Sequence, residues 1–353
     1  MPQTVLAPPT PGPRSARASP TRQRDPFFDN AKFLLVTLVV IGHNWGSLPS
    51  GLDTVKAAYC VVYLFHMPAF ILLCGYFSRG FECRPDQIRT LLARVLAPYL
   101  LFTLAYKTLY AVLWDAPFAL DPTEPTYLLW FLIALFLWRI TSPVWRAVRH
   151  PVALSVAVSF AAGLSDVDYA LALPRVLMFL PWFVLGLRLR PEHFRRLRTP
   201  LIRTTAALIV TAAVATSYAL APAHDVRWLH MQYGNDALHT AWPGYLLART
   251  VLLVASAVLV AAFFALVPAR RTRFTELGTA TMFPFLAHGL LVRAGQAYGA
   301  YDLLGLLGAG AVLATTLLGA ALAWLLSAAP LRRALRPFVE PRFPRRLVPV
   351  ERT

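Results

Sequence analysis

Ten runs of predominantly apolar residues, separated by connections whose basic residues alternate between many and almost none, constrain this chain more than any other feature. The runs cover roughly 31–48, 57–77, 95–114, 126–142, 151–165, 171–187, 204–221, 245–267, 277–296 and 303–329. About 20 apolar residues is the length of helix that crosses bilayer hydrocarbon, where a backbone without water must satisfy its own hydrogen bonds. The pattern predicts an all-α polytopic membrane protein with about ten transmembrane helices.

The connections set the orientation. Of the 34 Lys and Arg residues, 27 fall in the two tails, at the end of the fourth run, or in the connections after runs 2, 4, 6 and 8. The only basic residues of the intervening connections are Lys56 and Arg227, and acidic residues there include Asp115, Asp121, Glu124, Asp166 and Asp168. By the positive-inside rule both termini are cytoplasmic. Residues 1–24, rich in Pro, Arg, Ser and Thr, read as a disordered basic tail, residues 25–330 as the membrane domain, and residues 331–353 as a second basic tail. Arg332, Arg333, Arg336, Arg342, Arg345 and Arg346 make that second tail a surface for anionic lipid.

A formal charge of +17 in a soluble chain would point to nucleic acid, but here the basic residues flank apolar runs and report topology instead. No nucleic-acid partner is expected; the lipid bilayer is. Cys60, Cys74 and Cys83 match neither a metal-ligand spacing nor a disulfide framework, and no zinc-type spacing or glycine-rich phosphate loop occurs, so no metal is expected.

Two residues are costly where they stand. Lys32 and His43 lie in the first run, and eleven residues at 100° each come within about 20° of three full turns, so they share one helix face roughly 16 Å apart along the axis. They could line one cavity. The bland alternatives are that Lys32 snorkels to the headgroups and that His43 bonds a neighbouring helix. The second run adds His66 near its middle, followed by Pro68. An imidazole in a wet cavity can take a proton from a hydroxyl, and no nucleophile with a matched base is evident, so direct transfer with histidine as base is the natural enzymatic reading. Prolines 68, 98, 174, 181 and 284 fall within runs, and broken helices at membrane depth are tolerated where they face protein or a wet cavity. Lys107, Arg175, Arg249 and Arg293 occupy the outer halves of their runs against the usual bias, either snorkelling outward or lining a vestibule for an anionic acceptor, with His288 as a further candidate.

The segments RDPFFDNAKFLLVTLVVIGH, FHMPAFILLCGYFSRGF, RVLAPYL and YLLWFLIALFLW, followed more loosely by FLPWFVLGLRL and FPFLAHGLL, resemble the membrane acyltransferase family 3, in particular its branch similar to fucose 4-O-acetylase. The family's hallmark of a basic residue, ten intervening residues and a histidine is matched by Lys32 and His43. Where the family usually has Ser-Gly-Tyr or Ser-Gly-Phe, this chain has Cys74-Gly75-Tyr76, which makes position 74 a packing position. The Arg-x-x-Arg pair often found after the second span is also imperfect here.

The resemblance implies O-acyl transfer, usually of acetyl from acetyl-coenzyme A as co-substrate, to a hydroxyl of a carbohydrate or other acceptor. It implies His43 as general base, His66 as a second polar group in the cavity, and Lys32, Arg94 and Arg89 as holders of the donor's phosphates. Such a protein would sit in the inner membrane of a bacterium. The main rival is a transporter or flippase of a lipid-linked sugar or small molecule, which predicts pseudo-symmetric halves; no repeat relates runs 1–5 to runs 6–10. The topology is checked by labelling single cysteines in a background free of Cys60, Cys74 and Cys83. Arg195→Cys should react only from the cytoplasm and Asn235→Cys only from outside, and the reverse pattern would invert the assignment.

Overall fold

The computed structural model describes residues 24–49, 51–220 and 225–341. The expectations for residues 1–23 and for Arg342, Arg345 and Arg346 lie outside the described residues. Within them the chain is helical, and no strand occurs. The helices are α1 (Pro26–Trp45), α2 (Asp53–Phe77), α3 (Pro85–Leu91), α4 (Ala97–Trp114), α5 (Trp130–Ala147), α6 (Pro151–Gly163), α7 (Leu173–Met178), α8 (Leu180–Arg188), α9 (Pro191–Arg196), α10 (Pro200–Leu220), α11 (Trp242–Leu266), α12 (Met282–Ala297), α13 (Ala300–Gly305), α14 (Gly310–Ser327) and α15 (Ala329–Val339).

Each of the ten apolar runs has a helical counterpart. Among the described residues seven helices are long and apolar enough to cross a membrane, α3 and α4 forming one of them through a wider π turn at Leu92–Leu96. A bent pair, Ala170–Met178 and Leu180–Arg188, makes an eighth if counted as one broken span with a 57° bend. Runs 5 and 9 appear as shorter helices, α6 of 13 residues and α12 of 16. Ala329–Val339, which begins two residues before the second basic tail, is a helix that carries Arg332, Arg333 and Arg336 and buries Val339.

The prolines fall where helices start, bend or lose a bond. Pro98 follows the π turn, Pro174 and Pro181 begin the two halves of the bent pair, and Pro284 lies in the first turn of α12. Pro68 sits inside α2 and cannot donate to the carbonyl of Leu64. The Ser256 hydroxyl of α11 donates to that carbonyl instead, so the deficit becomes a link between helices.

The arginine-rich connections are tied together by carbonyls at and just beyond helix C-termini, where intrahelical donors are lacking. Arg146 donates to the carbonyls of Arg79 and Phe81, Arg79 to that of Leu189 at 2.8 Å, and Arg188 to that of Val148 at 3.1 Å. These cations hold three connections together at one end of the bundle.

Helix α2 crosses α8 at a glycine pair. A Cβ on Gly75 would overlap the Phe183 carbonyl oxygen, and one on Gly186 would overlap that of Leu72. Backbones approach this closely only without side chains between them, the usual arrangement of small residues at helix crossings in lipid. Next to this crossing, the thiol of Cys74 is half-buried and disulfide-free. Gly75→Ala should therefore destabilise the protein by about 1–3 kcal/mol through overpacking, read as a lowered midpoint in thermal unfolding in detergent. An unchanged midpoint would mean that the crossing is looser than described.

Candidate active site

Helix α1 enters the bundle with Phe27, Leu35, Val36 and Val40 fully or almost fully buried, and its polar residues are matched one by one. Asn30, fully buried, donates to the carbonyls of Pro268 and Arg270 at 2.8 and 2.9 Å and accepts from the hydroxyls of Thr272 and Thr275. Near the other end Asn44, also fully buried, donates to the Val40 carbonyl at 2.8 Å and accepts from the Tyr301 hydroxyl at 2.7 Å. Between them, Gly42 lies so close to the Tyr63 ring of α2 that a Cβ would press into it. His43 is thus held at a fixed depth and rotation.

It lines a cavity of about 250 Å³. His66, Tyr59 and Tyr63 of α2 share that wall, with Tyr127 and Trp130 before and within α5, Arg175 of α7, Arg293 of α12, and His230 from the segment between α10 and α11. The His43 ring lies 4.9 Å from that of Tyr127 and 5.2 Å from that of His288. No Asp or Glu is in the wall.

The imidazoles are oriented by helix geometry. His66 Nδ1 lies 2.7 Å from the carbonyl of Val62, and His288 Nδ1 lies 2.7 Å from that of Pro284, each one turn back along its helix. A carbonyl only accepts, so each Nδ1 carries the hydrogen and each Nε2 keeps the free lone pair. His288 is fully buried behind His43 and its Nε2 has no partner, so it packs against the cavity residue without reaching the wall. His230 Nε2 lies 3.0 Å from the Tyr59 hydroxyl. Burial, and then the nearby Arg175, push His230 down to about 4, so it is neutral near pH 7.

The candidate cations separate into three groups. Arg175 and Arg293 stand in the cavity wall, stacked over aromatic rings: Arg175 lies 4.8 Å from the Trp130 centroid, and Arg293 5.0 Å from that of Tyr110 and 5.3 Å from that of Tyr127. Arg293 also donates to Gln296 Oε1 at 2.6 Å, and the buried Nε of each arginine has no partner. Arg249 is committed elsewhere. Its guanidinium donates to the carbonyls of Trp228 and Tyr233 and to the Tyr245 hydroxyl at 2.6, 3.0 and 3.0 Å, and it contacts Met231 Sδ at 3.0 Å. It pins the segment that delivers His230 and does not line the vestibule. Lys107 lies outside the cavity wall.

Lys32 does not share the cavity with His43. Its Nζ pairs with Asp29 Oδ1 at 2.7 Å, one turn back towards the arginine-rich end, and lies 5.7 Å from the Phe77 ring. The side chain leaves the helix towards its N-terminus, so a shared face need not mean a shared cavity. Arg94 is exposed on the π turn and Arg89 is half-buried nearby. Neither lines the cavity around His43.

Two residue groups went unrecognised in the sequence. Tyr59 and Tyr63 stack with centroids 3.6 Å apart, and Tyr63 meets His66 at 4.7 Å. Their spacing of four and three residues with His66 is a polar stripe that could have been found. His230 carried no such signal, because its place depends on a long-range clamp.

The chain matches the family model described as "Acyltransferase domain" over residues 25–327. It is also similar to the nodulation protein NolL of Mesorhizobium japonicum (strain LMG 29417 / CECT 9101 / MAFF 303099), 43% identical over 63 residues, which is 17% of each chain. The chain thus spans about a sixth of that relative's length in the match. No solved structure matches. Removing the clamp tests how the site is assembled. Arg249→Met should speed amide exchange over residues 225–239 by about tenfold or more, since buried charged hydrogen bonds are worth roughly 1.5–3 kcal/mol each. Wild-type protection in that segment would show that the clamp is dispensable.

Proposed function

The chain belongs to the membrane acyltransferase family 3, and from that premise we propose that it moves an acetyl group from acetyl-coenzyme A to a hydroxyl of a carbohydrate or other acceptor in the cavity around His43. The protein is a multi-pass membrane acyltransferase. The proposal places it in the inner membrane of a bacterium. The observation that carries the reading is the setting of His43: a titratable imidazole at fixed depth, in a carboxylate-free cavity, facing a second oriented imidazole and two cations.

The chemistry needs one proton in motion. The acceptor O–H gives its proton to the His43 imidazole as its oxygen attacks the thioester carbonyl. The new C–O bond forms, the C–S bond breaks, and coenzyme A leaves as a thiolate that takes the proton back from the imidazolium. His66 presents its Nε2 lone pair to the same cavity and helps to orient the acceptor.

Tyr127 and Arg175 also line a shallower opening with Pro125, Tyr169, Gln232 and Tyr233 at the arginine-poor end. The donor's phosphates bind at the opposite end, at Lys32 with Arg94 and Arg89, and displace Asp29 from Lys32. The donor's pantetheine arm then runs from there to His43, a span longer than the roughly 16 Å that separates the two residues along α1.

Two measurements test these assignments. His43→Ala should remain inserted and folded yet lose about 10²–10⁴ in transfer rate, assayed with labelled acetyl-coenzyme A on purified protein; near wild-type turnover would remove His43 as the base. Lys32→Gln should raise KM for the donor, whereas Asp29→Asn, which frees Lys32, should lower it. If neither changes the donor KM, Lys32 serves only its ion pair with Asp29.

A further inference from the structure

A second hollow lies beside the cavity, on the face of the bundle between α2, α10 and α11. It is a groove of about 740 Å³, lined by Cys60, Val61 and Leu64 of α2, by small residues of α10 such as Ala212 and Ala213, and by Ala248, Ala255 and Val258 of α11. Helix α10 forms one side of it with only Ala206 and Ser217 buried, so the groove is walled by a helix with little stake in the core. Its lining is almost wholly apolar. The one carboxylate at its end, Asp225, is paired with Arg227 at 2.7 Å.

The groove and the cavity share a partition. Helix α2 turns one stripe, Tyr59, Tyr63 and His66, towards the cavity, and the adjoining stripe, Cys60, Val61 and Leu64, towards the groove. The segment held by Arg249 roofs both: Trp228 and Leu229 line the groove, and Leu229 and His230 line the cavity. Leu229 is therefore common to an apolar channel on the membrane face and a polar chamber. The chamber holds Arg175 and Arg293, whose Nε atoms are unpartnered, and no carboxylate balances them. Two cations at membrane depth with no carboxylate beside them favour an anionic guest.

We infer that the acceptor is a lipid-linked anion, whose hydrocarbon chain lies in the groove between α2, α10 and α11 and whose phosphate-bearing head passes beneath Leu229 to Arg175 and Arg293. The inference rests on the proposed transfer in that cavity and names its acceptor class. An acceptor built in this way explains why the two hollows adjoin: the groove fixes the chain, the arginines fix the phosphate, and the hydroxyl beyond the phosphate is set before His43. The charge match distinguishes this guest from ordinary bilayer lipid, which needs the groove but not the arginines.

The test uses the full-length protein in nanodiscs without acyl donor. The probes are a phosphatidic acid and a phosphatidylcholine that carry the same diazirine-bearing chain. The phosphatidic acid should label residues 209–217 and 248–259 about tenfold more strongly than the phosphatidylcholine, and Arg175→Gln with Arg293→Gln should erase that preference. Ala213→Trp with Ala255→Trp, which fills the groove and leaves the arginines in place, should cut labelling by the phosphatidic acid to a similar extent. Equal labelling by the two probes, or a preference indifferent to the arginines, would assign the groove to ordinary bilayer lipid and overturn the inference. Because labelling is read without donor, a protein that captures the phosphate probe but transfers no acetyl group refutes the transfer reading while the binding site stands.

Discussion

A polar group within hydrocarbon must find its partner inside the protein, and α1 is built around two such groups. An unsatisfied amide there costs several kcal/mol. Asn30 is satisfied by the connection that carries Pro268, Arg270, Thr272 and Thr275, and Asn44 by Val40 and Tyr301. Apart from the bond to Val40 within α1, these bonds run to residues more than 200 positions away in sequence, so α1 cannot slide or turn without breaking contacts at both ends. Close approaches add to the constraint: Gly42 lies against Tyr63, and a Cβ on Gly319 of α14 would meet the backbone of Ile41. His43 inherits its position from this scaffold, which is what an acid–base group needs if it is to meet a hydroxyl in reacting geometry.

The rest of the cavity is assembled from interruptions. Pro68 leaves the Leu64 carbonyl for Ser256 and ties α11 to α2 near His66. The 57° bend between α7 and α8 leaves Arg175 on the half nearer the cavity, over Trp130, whose indole stacks on Phe179 at the bend, 5.6 Å between centroids. Several non-glycine residues adopt positive φ around the site, Tyr127 at 55° and Met231 at 52° among them, a conformation that costs on the order of 1–3 kcal/mol each and persists where surroundings impose it. Helices α1, α2 and α12 carry His43, His66 and Arg293, and the breaks add Arg175, Tyr127 and His230 to the wall.

Much of this was legible in the sequence because hydrocarbon leaves a chain few options. Every apolar run became helix, and the residues most out of place at depth, His43, His66, Arg175 and Arg293, are the ones that meet in one cavity. What misled was side-chain direction: Lys32 shares a face with His43 by periodicity, but an acidic residue three positions back takes its ammonium the other way. Arg249 has the same composition signal as Arg175, and only tertiary context, four contacts to the segment 228–245, separates a clamp from a wall residue. Run 6 was legible as apolar but not as a bent pair, since Pro174 and Pro181 each start a separate helical half.

The central claim is that acyl transfer takes place in the cavity shared by His43, His66, Arg175 and Arg293. Its most direct test is a cryo-electron microscopy structure with a non-hydrolysable thioether analogue of acetyl-coenzyme A. The account predicts the nucleotide at the arginine-rich end and the acetyl group inside the cavity, within about 3–4 Å of the His43 imidazole or one water away. An analogue bound in full with its acetyl group remote from His43, and the cavity left to other contents, would contradict it.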